Sequence, residues 1–166
     1  NFHQPSSVAV APSGDIYVAD GYGNSRVVKF LPDGKYLKAW GKKGSGPGEF
    51  DTPHGIAVDA KGNVYVAERL NNRIQVFDSE GRFLTQWPNY ARADSIFITR
   101  KGQAYVGTGK GDIYKLDLSG RLLQTVGTEK ALGYPHGIFV DSEGSLYFAD
   151  PIANTAGQPP RRFVKK

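Results

Sequence analysis

Gly-Asn-Val-Tyr-Val-Ala-Glu at residues 62–68 recurs as Gly-Asp-Ile-Tyr-Val-Ala-Asp at 14–20, Gly-Gln-Ala-Tyr-Val-Gly-Thr at 102–108 and Gly-Ser-Leu-Tyr-Phe-Ala-Asp at 144–150. Nine residues before each glycine an apolar segment begins, at Pro5, Pro53, Ala93 and Pro135. The glycines are spaced by 48, 40 and 42 residues. A constant internal register at that period marks stacked repeats. Its β-rich, period-2 content selects a propeller.

The second repeat reads most clearly. Gly55–Asp59 is a short apolar strand, Ala60–Asn63 a turn and Val64–Ala67 the returning strand. A loop at Leu70–Asn72 leads to Arg73–Phe77, whose polar and apolar residues alternate as a half-buried strand requires. Asp78–Gly81 turns the chain into a fourth strand at Arg82–Trp87. Small and apolar residues fill the first two strands, and polar alternation grows in the last two. That gradient puts the first strand beside a central channel and the fourth at the rim. The chain divides into blades at roughly 5–46, 47–89, 90–127 and 134–166, the last ending inside its third strand at Phe163-Val164. A blade that is apolar on both faces cannot bury them alone and must stack on its neighbours.

Composition bounds the rest. The 166 residues suffice for one domain, and 39% hydrophobic content suffices for a packed core. Twenty-one glycines and ten prolines suit many tight turns. No run nears the ~20 apolar residues of a membrane span. With no cysteine there is neither a disulfide nor thiol chemistry. The net charge of +5 permits anionic partners, yet the lysines and arginines are scattered except at Arg161, Arg162, Lys165 and Lys166. Scattered charge argues against nucleic acid, which calls for a basic face with stacking aromatics.

The residue following each leading position is Ser6, His54, Asp94 and His136. Two histidines in one column, at the channel end of the innermost strand and two blades apart, would aim at a common axis. Three imidazoles with one open position form a catalytic zinc site, and these two would be part of such a set. The alternative is that each histidine caps its strand by bonding nearby backbone. His3, outside the column, reads as structural or exposed. Loops after the second strands lie on the same face and bring Tyr22, Arg69, Lys110 and a Pro-rich insertion at 151–161. A tyrosine there can handle a hydroxyl proton, and an arginine can hold a carboxylate.

Pro-His-Gly-Ile-Ala-Val-Asp at 53–59, followed by Gly-Asn-Val-Tyr-Val-Ala-Glu and Asn-Asn-Arg-Ile-Gln-Val-Phe at 71–77, resembles the NHL repeat. That resemblance implies a six-bladed ring, of which this chain supplies about four, the remainder coming from further blades or a second chain; the alternative is a complete four-bladed propeller. Asp20-Gly21-Tyr22-Gly23-Asn24-Ser25-Arg26, then Trp40-Gly41 and Pro47-Gly48-Glu49-Phe50 ahead of Pro53-His54, resembles peptidyl-α-hydroxyglycine α-amidating lyase, the second catalytic domain of the peptide-amidating enzyme. The similarity is close over most of 1–89 and again at 134–150, and weak over 90–133.

The lyase resemblance implies that His54 and His136 are two of three zinc-binding histidines, Tyr22 the catalytic tyrosine and Arg69 an active-site arginine. The third histidine and another arginine precede the matched part in that family. The implied reaction cleaves a carbinolamide to a peptide amide and glyoxylate, in an extracellular or periplasmic setting. The departures are equally specific. The family's disulfide cysteines fall at His3 and Gly23, and a methionine near zinc is replaced by Tyr134. Calcium is a second candidate metal, but Gly137 stands where the family has an aspartate that helps hold it. The competing reading is a non-catalytic NHL propeller that binds a protein or glycan through its channel face.

Overall fold

The computed structural model describes residues 1–127 and 133–151, together with the backbone of a strand at Arg161–Phe163. The described residues form four antiparallel sheets and no helix. The first blade comprises β1 (Ser7–Val10), β2 (Ile16–Asp20), β3 (Arg26–Phe30) and β4 (Tyr36–Trp40). The second comprises β5 (Pro53–Val58), β6 (Val64–Glu68), β7 (Arg73–Phe77) and β8 (Phe83–Pro88). The third comprises β9 (Ala93–Ile98), β10 (Gln103–Thr108), β11 (Ile113–Asp117) and β12 (Leu122–Gly127). Strands β13 (Gly137–Val140), β14 (Leu146–Ala149) and β15 (Arg161–Phe163) form the fourth sheet. Each sheet is a meander in sequence order.

First strands of successive blades touch: β1 lies against β5, β5 against β9, and β9 against β13. They therefore line one channel. Burial follows the gradient read from the sequence in β6, buried throughout, and in β8, where Phe83 to Gln86 are exposed. Strand β7, read as half-buried, is instead buried throughout, because Arg73 and Gln75 bond to Glu68 and to the Glu49 carbonyl.

Period 2 sends alternate residues of one strand into different cores. Val64 and Val66 face the first blade, where they meet Tyr17, Val27 and Phe50. Tyr65 and Ala67, on the same strand, face the third blade and meet Ile96, Val106 and Leu116. The second and third blades are thus each half of two cores, which is why neither of their faces reads as polar.

The first strand of the second blade begins at Pro53, two residues ahead of the start the apolar run suggests. Between Pro53 and Gly55 the β5–β6 register slips by one, so His54 is the extra residue of a bulge. Asp94 is the extra residue of an equivalent bulge in the β9–β10 pair, between Ala93 and Ser95. A bulge leaves its extra residue outside the ladder and re-aims its side chain. Here it turns two column residues toward the channel.

Candidate functional site

Four side chains singled out from the sequence come together at one end of the channel. Tyr22 and Arg69 reach it from the loops after β2 and β6. The tyrosine loop fits closely, because a Cβ on Gly21 would collide with the Pro53 carbonyl. The arginine loop is tied down by the Arg69 amide, which donates to the Thr52 carbonyl at 3.1 Å. His54 arrives from its bulge in β5, and His136 from the residue just before β13.

His54 is buried, with 4% of its surface exposed. Its Nδ1 lies 2.7 Å from the Asp94 carbonyl oxygen. A carbonyl only accepts, so Nδ1 carries the hydrogen and Nε2 presents a lone pair. The Tyr22 hydroxyl donates to that Nε2 at 2.9 Å, and Arg69 Nη2 lies 2.8 Å from it. The same Nη2 is 3.3 Å from His136 Nε2. The two imidazoles, two blades apart, stand with ring centroids 4.7 Å apart and planes perpendicular. Burial pushes both histidines below their ordinary pKa. For His54 the Asp94 carbonyl bond opposes that push and the Arg69 charge adds to it. Both imidazoles are therefore neutral near pH 7.

Arg69 is the hub of the arrangement. Its Nε donates to the Asp94 carboxylate, its Nη1 to the Tyr22 hydroxyl oxygen at 3.0 Å, and its Nη2 to the Tyr134 oxygen at 3.4 Å. Burial works against its charge, and the Asp94 carboxylate more than offsets this, raising its pKa. Tyr134 donates its hydroxyl hydrogen to the second Asp94 oxygen. Burial, reinforced by that carboxylate, raises its pKa and keeps the phenol protonated. A cavity of about 230 Å³ adjoins the cluster, walled by His54, Asp94, His136 and small residues such as Ser6, Gly55 and Ser95. That volume suits a small polar group rather than a large apolar ligand.

The donor set can be weighed against zinc. Two neutral imidazoles offer Nε2 lone pairs toward one point, and His54 has the backbone-anchored Nδ1–H that accompanies metal-ligating histidines. Those groups fit two positions of a three-histidine site. Among the described residues no group of three His, Cys, Asp or Glu is placed to hold an ion. A lone pair that accepts from Arg69 is also not available to a metal, so the two uses exclude one another.

Other sequence candidates stand apart. Lys110 is exposed, and the insertion at 151–161 lies, but for its first residue and the backbone of Arg161, outside the described residues. His3 is exposed; its amide donates to Asp20 and its carbonyl accepts from the Gly23 amide at 3.1 Å. A Cβ on Gly23 would collide with the His3 ring. The two positions to which the lyase resemblance assigns cysteines are thus packed against each other and joined by that backbone hydrogen bond. Sequence reading left Asp94 and Tyr134 without roles. Asp94 was visible in the column, but its partners are 25 and 40 residues away on other blades.

Comparison with known proteins agrees with the fold and the resemblance. The NHL repeat family matches residues 2–30 and 50–77. Peptidyl-glycine alpha-amidating monooxygenase B of Xenopus laevis is 34% identical over 191 aligned residues, covering 100% of this chain and 22% of the amphibian protein. A probable peptidyl-alpha-hydroxyglycine alpha-amidating lyase of Caenorhabditis elegans is 33% identical over 162 residues, covering 89% of this chain and 46% of the nematode protein. The chain therefore spans about a fifth of the one and under half of the other. Among solved structures, virginiamycin B lyase from Staphylococcus aureus superposes with a TM-score of 0.75 over 96% of this chain and 55% of that one, at 15% identity. At that identity the likeness speaks for the propeller fold alone.

Proposed function

We propose, for a chain that carries NHL repeats and resembles the peptidyl-α-hydroxyglycine α-amidating lyases, a zinc-dependent lyase activity that cleaves a peptidyl-α-hydroxyglycine to a peptide amide and glyoxylate. The observation that carries this reading is the meeting of His54, His136, Tyr22 and Arg69 at one end of the channel; zinc binding requires Arg69 Nη2 to turn away from the two Nε2 atoms, which frees the Nη fork for the substrate carboxylate. These groups match the demands of the reaction. The hydroxyl of the carbinolamide loses its proton, its C–O bond becomes C=O, and the C–N bond breaks with its electron pair going to nitrogen. That nitrogen takes up a proton, so none is consumed overall.

Tyr22 would act once its own hydroxyl hydrogen has left, taking the substrate's hydroxyl proton and returning it to the leaving nitrogen. Its hydroxyl already points at a neutral imidazole and accepts from Arg69. Arg69 holds the substrate carboxylate through the Nη end of its fork, a pairing of planar ions that also fixes orientation. His54 and His136 would hold a zinc ion together with a third ligand from outside the described residues. A zinc ion so bound supplies Lewis acidity that favours the alkoxide over the alcohol. The substrate is a peptide or small molecule ending in α-hydroxyglycine.

The test is product analysis. Full-length protein supplied with zinc and α-hydroxyhippurate is expected to release benzamide and glyoxylate in equal amounts. Tyr22→Phe should slow release by about 10²–10⁴-fold, the usual size of a lost acid–base contribution. No glyoxylate from the zinc-supplied wild type would exclude the lyase.

Among the described residues two histidine donors meet and not three, which favours a second reading, a non-catalytic propeller that takes a protein or glycan at the channel face. It requires that His54→Ala leave partner binding intact.

A further inference from the structure

Asp94 occupies in β9 the channel-end position that His54 and His136 hold in the neighbouring blades. Its side chain is wholly withdrawn from solvent. A carboxylate so buried persists only when paired and hydrogen-bonded, and every partner here belongs to the site. One oxygen accepts from Arg69 Nε and the other from the Tyr134 hydroxyl. The backbone carbonyl of the same residue accepts from His54 Nδ1.

A guanidinium carries five donors in one plane. Fixing Nε fixes the direction of that plane, and the remaining Nη1 and Nη2 then face the channel axis, where Tyr22, His54 and His136 stand. A long arginine without a partner at Nε would sample many rotamers and lose that aim. Tyr134 closes the other flank. Its hydrogen is committed to Asp94 and its ring carries the exposed Arg92 guanidinium 5.9 Å from the centroid.

We propose that Asp94 is the positioning residue of this site: its carboxylate clamps Arg69 by Nε so that the Nη fork presents to a substrate carboxylate. This rests on the reading of Arg69 as the carboxylate-binding group. Asp94 does not touch substrate. It decides where the group that touches substrate points.

The test uses the full chain and Asp94→Asn, which keeps the size of the residue and its carbonyl bond to His54 and removes the charge. Without any ligand, the Arg69 Nε–H signal in a nitrogen-15 spectrum is expected downfield and slow to exchange, and to lose both properties in Asp94→Asn. Hippurate, an unreactive glycine conjugate, should bind about tenfold more weakly to the variant, while neutral hippuramide binds as before. In an Arg69→Gln background the same change at Asp94 should cost nothing further. A purely structural carboxylate would weaken both ligands alike, or by the same factor with and without Arg69. Either result, or an unchanged Nε–H signal, overturns the proposal. If wild-type protein binds no hippurate and releases no glyoxylate, the lyase reading falls, and the Nε–H signal alone then decides the role of Asp94.

Discussion

At the scale of single residues, His54 serves two directions at once. Nδ1 anchors to the Asp94 carbonyl of the neighbouring blade and Nε2 faces the cluster, so the ring is held across blades instead of capping its own strand. His54 and His136 could be picked out because they recur in one column of the repeat, and Tyr22 and Arg69 because they are bulky groups in loops otherwise rich in glycine and asparagine. Asp94 sat in that column too, yet its chemistry depends on contacts between blades that no local pattern records. A pH dependence follows from the histidines. Their folded pKa values lie below the ordinary 6.5, so the unfolded chain binds more protons in the window beneath 6.5. Stability is complete above that value and falls as the pH drops toward the depressed values. Urea titrations between pH 7.5 and 5 should show this decline, and His54→Gln should reduce it. An equal slope in the variant would place the proton uptake elsewhere.

At the scale of elements, the strands were legible and the bulges were not. Alternation gave the bounds of Arg73–Phe77, because a paired strand keeps strict period 2, but not its full burial, since the polar residues on it are paired inside the blade stack. The extra residues at His54 and Asp94 break that period in a way that resembles an ordinary strand end. The turns between third and fourth strands carry a repeated contact. Trp40 of the first blade packs on Gly81 in the turn of the second, and Trp87 of the second packs on Gly120 of the third. Gly81 and Gly120 have φ of 79° and 87°, and added side chains would collide with the indoles. Gly81→Ala and Gly120→Ala should each cost about 1–3 kcal/mol, lowering Tm by about 2–4 °C per kcal/mol. A second device clasps the 44–49 loop. Buried Glu68 accepts from Arg73 Nε at 2.7 Å and from Gln75 at 2.7 Å, while Arg73 also donates to the carbonyls of Ser45, Gly46 and Glu49. Glu68→Gln leaves the arginine charge buried and unbalanced, and chemical denaturation should register a loss of about 3–5 kcal/mol.

At the scale of the whole molecule, stability resides between blades rather than within them. Ile74 illustrates the point, being fully buried in the core that the second and third blades share. Ile74→Ala should cost about 2–5 kcal/mol, and hydrogen exchange should accelerate in both of those blades and least in β13 and β14. Acceleration confined to the second blade would mean that blades fold singly. The repeat period made this architecture readable, since a fixed register over 40–48 residues allows few folds. The site was readable only in part, because it is assembled from loops of separate blades whose meeting depends on how the sheets stack. The account stands most directly on two imidazoles sharing one ion, and a zinc titration of the full-length protein, monitored by calorimetry, measures that. One zinc per chain in the wild type, with binding abolished alike in His54→Ala and His136→Ala, is the expected result; undiminished zinc binding in either variant would contradict it.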